Sequence, residues 1–336
     1  MFTKKERNHT IDFLRGLAVI SIILIHTAWW SGMYYLPTKF SSLFLLFDVP
    51  IFMFIAGLSY SYVNSIWKNI KGILKQWNKW IYFLIFYLLI IFIFFNKDFN
   101  IHYILNYIFY DFPNKTSPLI VVQGSIWFIP MYIKVTILCS IILYFYNNYK
   151  DKIDLKIIII LMLLMSQINF LFIDQQIGMY SVLFLLGYYA SSNKIESFKA
   201  LAIYEVLLGL IMILLFKLGG YSLIDLQKLK FPPSIYYISA SLPGIVLFWY
   251  LKDKLKIKEN NPINYIGKNA LFFYYSQGIS SSLLILIQPY IKLGNPYFKF
   301  ILMAIINITL AIIIGVILNE LYNLIIKTYN KYKKQS

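Results

Sequence analysis

Long apolar runs separated by short polar segments are the dominant pattern of this chain. Each run is roughly 15 to 23 residues long, close to what a helix needs to cross the hydrocarbon layer, and is bounded by Lys, Pro, Asn or Gly. Segment 177–191 is short for a spanning helix, and 101–110 is an eleventh apolar stretch that fits an interfacial position better. The pattern predicts an all-α, polytopic membrane protein with about ten transmembrane helices, near residues 11–30, 43–63, 80–95, 126–146, 157–173, 177–191, 199–216, 235–251, 266–288 and 300–325.

Composition and charge agree with this pattern. Hydrophobic residues make up 60% of the 336 residues and charged residues 13%, whereas soluble domains have about a quarter charged. With ten spans, 21 Lys and Arg residues fall on one side and 8 on the other, which predicts that both termini are cytoplasmic. The net charge of +17 is mainly this topology signal, and attraction to anionic lipid explains it without nucleic acid.

The chain is expected to be one membrane-embedded domain over residues 1–336, with a helical core at 8–326 and a basic cytoplasmic tail at 327–336. Cys139 is the only cysteine, so an intramolecular disulfide and a thiolate metal cluster are excluded. We predict no metal site and no bound cofactor.

A polar stripe on the first apolar run is the strongest candidate for chemistry. Asp12, Arg15 and His26 lie within IDFLRGLAVISIILIHTAWW. A step of eleven residues returns to within about 20° of the same helix face and climbs about 16 Å. Ionisable groups inside a span usually mark a pathway or a reaction site. Only Arg7 and Arg15 of the 31 basic residues are arginines, which indicates that position 15 needs a planar guanidinium.

The segment TIDFLRGLAVISIILIHT, with Arg, ten residues and His, resembles the first helix of the acyltransferase-3 family of membrane acyltransferases. DVPIFMFIAGLSYSY, GSIWFIPMY and NYIGKNALFFYY resemble that family's second helix, fourth helix and late helix start, in the same order. Two regions depart from the family pattern. Lysines such as Lys71, Lys75 and Lys79 stand where many members have Arg-x-x-Arg, and Gln277 stands where a His often occurs.

The resemblance implies transfer of an acyl group, commonly acetyl, from cytoplasmic acyl-CoA to a hydroxyl of a carbohydrate or other surface molecule. We therefore expect an O-acyltransferase of the bacterial cell membrane that O-acetylates an exported polysaccharide or its glycolipid precursor. Its expected partners are acyl-CoA, that acceptor and membrane lipid, and a homodimer is left open. The alternatives are a transporter or flippase for a glycan intermediate, which would more often show inverted repeats, and a degenerate member that acts as a scaffold.

Arg15 is expected to bind the donor through fork-like hydrogen bonds to phosphate, and Asp12 to orient Arg15 as an ion pair one turn away. His26 is expected to be the general base for the acceptor hydroxyl. The alternatives are that Arg15 snorkels to the interface and that His26 is structural. Asp48, at a matching depth on the second helix, is our candidate for orienting the imidazole. The alternative is that Asp48 is only a polar residue at the start of that helix.

Four further residues are assigned by position alone. Lys134 in the fourth span is equally compatible with donor binding and with snorkelling. Trp127, Tyr274 and Gln277 are assigned to an acceptor pocket, although packing explains aromatic side chains as well in a chain with 29 Tyr residues.

Overall fold

The computed structural model describes residues 7–63, 65–95, 118–168 and 173–333. This part of the chain is built from helices, and its only extended pairing is an isolated bridge between Lys230 and Pro233. The apolar stretch 101–110 and the end of the predicted tail, 334–336, lie outside the described residues.

The α-helices of the described ranges follow in chain order: α1 (His9–His26), α2 (Thr38–Leu43), α3 (Val49–Val63), α4 (Ile66–Phe95), α5 (Ile120–Ser125), α6 (Phe128–Tyr149), α7 (Leu155–Gln167), α8 (Gln175–Ser192), α9 (Phe198–Gly219), α10 (Ile235–Lys254), α11 (Pro262–Lys268), α12 (Ala270–Ile287) and α13 (Pro296–Lys333). A π-helical segment follows α1 at Thr27–Ser31. Short 3₁₀ turns occupy Gly32–Tyr34, Phe44–Phe47, Leu223–Gln227 and Gln288–Tyr290.

Seven helical segments of the described chain are long and apolar enough to cross a membrane: His9–Tyr34, Thr38–Val63, Ile66–Phe95, Ile120–Tyr149, Phe198–Gly219, Ala270–Tyr290 and Pro296–Lys333. The three other predicted spans coincide with α7, α8 and α10. Helix α7 has only 13 residues and is too short for this set. Helices α8 and α10 are long enough, but their polar side chains make them less apolar than the seven segments. The all-α membrane class is confirmed, whereas the count of ten and the cytoplasmic termini stay predictions.

The second predicted span is broken into pieces. Helix α2 and the turn Phe44–Phe47 precede α3, which begins at Val49, so Asp48 lies at the junction and not inside a helix. Pro50 explains the restart, because its missing N–H and fixed φ suit the first turn of a helix and not its interior.

The chain divides into two compact units. The first comprises residues 1–21, 37–71 and 132–268. Helices α3 and α8 meet there backbone to backbone. A Cβ at Gly57 would lie 1.8 Å from the carbonyl oxygen of Phe184, and a Cβ at Gly187 would lie 1.9 Å from that of Phe54. Glycine at both positions therefore sets the closest approach of these helices, as small residues do in membrane bundles.

Helices α1 and α11 make a second contact of this kind within the first unit. A Cβ at Gly16 would lie 2.2 Å from the oxygen of Ile263, and one at Gly267 would lie 1.7 Å from the oxygen of Asp12. This approach brings the backbone of α11 within reach of the polar side chains on α1.

The second unit comprises residues 22–36, 72–131 and 269–336, so it includes the end of α1. Helix α12 is the most buried of the elements described in this unit. Tyr275 of α12 stacks on Phe83 of α4 with ring centroids 4.2 Å apart. Gly315 of α13 lies against Phe273, whose ring would be 2.6 Å from an added Cβ. Aromatic stacking and a glycine contact thus fix α12 between its neighbours.

Candidate functional site

His26 is the last residue of α1, at the point where the α-helix changes into the π-helical segment Thr27–Ser31. Insertions of this type in helices occur frequently at functional sites. The change in winding distinguishes His26 from the regular apolar residues that precede it.

Gln277 on α12 is the hydrogen-bond partner of His26 within the second unit. The contact joins imidazole Nδ1 to the amide oxygen Oε1. An amide oxygen can only accept, so Nδ1 donates, and this tautomer carries its lone pair on Nε2. The geometry therefore presents the ring as a base.

The other end of the Gln277 amide is an unpaired donor. Its side chain is fully buried, and its Nε2 has no hydrogen-bond partner among the residues that the structure describes. An unpaired buried donor costs about 1–3 kcal/mol. An N–H group held beside the imidazole is suited to contact a substrate oxygen.

Arg15 is held by three acceptors in the first unit. Its Nη1 lies 3.0 Å from Asp12 Oδ1 and 3.3 Å from the carbonyl oxygen of Gly267, and its Nη2 donates to Ser59 Oγ at 2.6 Å. The ion pair predicted between Asp12 and Arg15 is present. Arg7 also pairs with Asp12, at 2.5 Å. A planar fork with five N–H donors suits acceptors on three helices at once, which favours arginine at this position of a lysine-rich chain.

Residues 8–320 match the family model described as the acyltransferase domain, Acyl_transf_3. The chain belongs to the acyltransferase-3 family. Comparisons with curated proteins and with solved structures gave no match. The family membership makes this protein a membrane acyltransferase, and the resemblance seen in its motifs is confirmed.

Asp48 of this acyltransferase is buried in the first unit. Its Oδ2 lies 2.6 Å from Lys230 Nζ and accepts from the Tyr237 hydroxyl at 2.9 Å. The side chains of Asp48 and Lys230 are 1% and 8% exposed. The predicted pairing of Asp48 with His26 joins residues of different units and stays a prediction.

The residues assigned to an acceptor pocket lie in the second unit. The Tyr274 hydroxyl donates to the carbonyl oxygen of Ser125 at 2.7 Å, and its ring lies 5.0 Å from that of Phe128. Trp127 is buried and meets Phe128 edge to face at 6.1 Å. Phe128 therefore links Trp127 to Tyr274, one turn before Gln277. Lys134 is exposed on α6 in the first unit. The roles assigned to Trp127, Tyr274, Gln277 and Lys134 stay predictions.

Sequence reasoning missed several polar residues that the structure places near the candidate groups. Asn307 interrupts an apolar run, ILMAIINITLAIII, and a polar group there was a usable signal. Lys230 lies in a polar connection between apolar runs, and no local pattern indicates its partner 182 positions earlier.

Proposed function

We propose that this membrane acyltransferase moves an acyl group, most simply acetyl, from acyl-CoA to a hydroxyl of an exported polysaccharide or its lipid-linked precursor in the bacterial cytoplasmic membrane. The observation that carries the proposal is the contact between His26 Nδ1 and Gln277 Oε1. This contact gives the imidazole the tautomer that a general base requires.

The proposed reaction is a direct transfer. His26 Nε2 takes the proton of the acceptor hydroxyl as that oxygen attacks the thioester carbonyl carbon. A C–O bond forms and the C–S bond breaks. The CoA thiolate leaves and receives the proton from the imidazolium, so the products are the ester and free CoA. A well-placed base of this kind contributes about 10²–10⁴-fold to the rate.

Gln277 supports the attack in a second way. Its unpartnered amide N–H would donate to the thioester oxygen, on which negative charge develops as the acceptor adds. Fixed donors at such an oxygen are most effective where water is excluded, and Gln277 is fully buried. Trp127 and Tyr274 would then line the pocket in which the acceptor hydroxyl approaches His26 and Gln277.

Arg15 is proposed to bind the phosphates of the donor, with Asp12 holding the guanidinium in place and Lys134 adding a positive charge. Arginine binds phosphate with two parallel hydrogen bonds. Arg15 and His26 lie on one helix, eleven residues apart, which is about 16 Å along its axis. A pantetheine arm is long enough to span that length of helix, which is compatible with a donor whose phosphates bind at Arg15.

Vesicles that contain the full chain and an acceptor glycan would test the proposal, with labelled acetyl-CoA supplied on the cytoplasmic side. We expect label on the glycan with the unchanged protein, loss of label with His26→Ala and slower labelling with Arg15→Lys. Thr309→Val, at an exposed position of α13, serves as the control and should transfer normally. Glycan movement without any label would support the transporter and overturn the proposal.

A further inference from the structure

We infer that Asn307 on α13 is a positioning residue that keeps His26 in contact with Gln277. The inference rests on the proposed role of His26 as base. Asn307 is fully buried within the second unit, in a segment that is apolar apart from the exposed Thr309. A buried amide is costly unless its hydrogen bonds are made, and here its oxygen and its nitrogen are both engaged.

The Asn307 amide joins three helical segments. Its Nδ2 donates to Thr27 Oγ1 at 2.8 Å and to Ser281 Oγ at 2.9 Å. Its Oδ1 accepts from Ser280 Oγ at 2.6 Å. One side chain of α13 therefore fixes the start of the π-helical segment after α1 together with one turn of α12.

The first of these contacts is at the residue next to His26. Thr27 donates its hydroxyl to the carbonyl oxygen of Ile23 at 2.8 Å, and Asn307 Nδ2 reaches the same oxygen at 3.5 Å. This is where the helix changes its winding, so its backbone hydrogen bonds are less regular than in an α-helix. The side chains of Thr27 and Asn307 stabilise the turn that aims the imidazole.

The second contact is one turn from Gln277. Ser280 and Ser281 follow Gln277 by three and four residues on α12, so the three side chains share a helix face. Asn307 thus holds both partners of the His26–Gln277 contact from adjacent positions. Without it, the end of α1 and the turn of α12 are free to shift against each other.

Asn307→Leu removes these hydrogen bonds and keeps the number and branching of the side-chain heavy atoms. We expect kcat to fall by about 10- to 100-fold, as misplacement of a catalytic group by about 1 Å does. The KM for acetyl-CoA should change by no more than about twofold, because ground-state binding is not altered. Thr27→Val should show a smaller fall of the same kind, and Thr27→Ser, which keeps the hydroxyl, should retain the activity.

A spectroscopic measurement separates this inference from the proposed function. His9 and His102 are replaced by Gln, so that His26 is the only histidine, and the imidazole ¹⁵N spectrum of the full chain is recorded in lipid nanodiscs. We expect an Nδ1–H tautomer in the parent and an altered tautomer ratio with Asn307→Leu and Thr27→Val. The matched control is Thr309→Val, which also removes a hydroxyl bonded to the carbonyl four residues earlier, at 2.9 Å.

An unchanged His26 spectrum in Asn307→Leu would overturn the inference, whatever the activity. If Asn307→Leu fails to fold, Thr27→Val decides by the same criterion. If the parent transfers no acetyl group while the spectra differ as expected, the proposed function fails and the positioning role of Asn307 stands.

Discussion

Asp48 and Lys230 form an ion pair of 2.6 Å between two side chains that are almost inaccessible to solvent. The Tyr237 hydroxyl donates to the same carboxylate oxygen. Lys230 lies between the turn Leu223–Gln227 and α10, so the pair ties this connection to the start of α3 within the first unit. A buried charge that loses its partner is strongly destabilising.

Lys230→Met is therefore expected to lower the free energy of unfolding by about 3–5 kcal/mol. Asp48→Asn should destabilise as well, because it removes the carboxylate that neutralises the buried lysine. The double variant should recover most of the loss, since its asparagine can still accept from Tyr237. Thermal unfolding of the purified protein in detergent measures all three.

The same double variant tests whether Asp48 orients His26. If it does, Asp48→Asn with Lys230→Met remains slow and keeps an altered pH profile although its stability has returned. A double variant that regains both the wild-type rate and its pH profile would show that Asp48 has only a structural role.

Gln277→Glu separates the two roles assigned to the Gln277 amide. Glutamate keeps an oxygen for His26 Nδ1–H but has no N–H for the thioester oxygen. We expect Gln277→Glu to reduce kcat by about 10²–10³-fold, the usual loss for one missing donor to a developing oxyanion. Gln277→Leu, which lacks both groups, should be at least as slow. Single-turnover assays measure the rate of the transfer step directly. A wild-type rate in Gln277→Glu would refute the donor role of the amide.

Arg15→Lys and Arg7→Lys form a matched pair, because both side chains bond to Asp12. Arg7 is 54% exposed, and exposed ion pairs contribute little. Arg15 is 25% exposed and also bonds to Ser59 and Gly267. We expect kcat/KM for acetyl-CoA to fall about tenfold or more with Arg15→Lys, the loss of about one charge-assisted hydrogen bond, and to stay near wild type with Arg7→Lys. Equal losses in both variants would argue against a donor site at Arg15.

Asp225 offers a test by titration. The backbone N–H and then the hydroxyl of Ser222 donate to its carboxylate and lower its pKa from the usual value. Because the folded pKa is lower than that of a free aspartate, about 4, the ionised carboxylate stabilises the turn at pH values above about 4. This stabilisation is lost as the pH falls through the folded pKa. Carboxyl ¹³C titration should show the low pKa, and Ser222→Ala should raise it. An unchanged pKa in that variant would contradict this account.

The helices could be predicted from the apolar runs. In hydrocarbon every backbone N–H and C=O group needs a hydrogen-bond partner, and a helix supplies these partners within one segment. Arg15 and His26 could be found because ionisable residues are rare in such runs. The seven segments that are long and apolar enough do not include α8, which is largely buried in the protein. A helix that is covered by other helices does not need an apolar surface, so composition alone does not show whether such a helix crosses the membrane.

Long-range contacts were the part that sequence could not supply. His26 and Gln277 are 251 positions apart, and periodicity describes only neighbours within a few turns. The sequence identifies Gln277 as a departure from the family pattern and predicts a place for it in the acceptor pocket, not a contact with His26. Asn307 was overlooked because asparagine is common throughout this chain, although its position among isoleucines and leucines distinguishes it.

The reciprocal contact of Gly57 with Phe184 and of Gly187 with Phe54 affects how a mutational scan of this enzyme would be interpreted. Any larger residue at either glycine would force two backbones apart, so alanine there should abolish production of the folded protein. Inactivity at these positions would then report on assembly, and only variants whose expression level has been measured can reveal which side chains perform the acyl transfer.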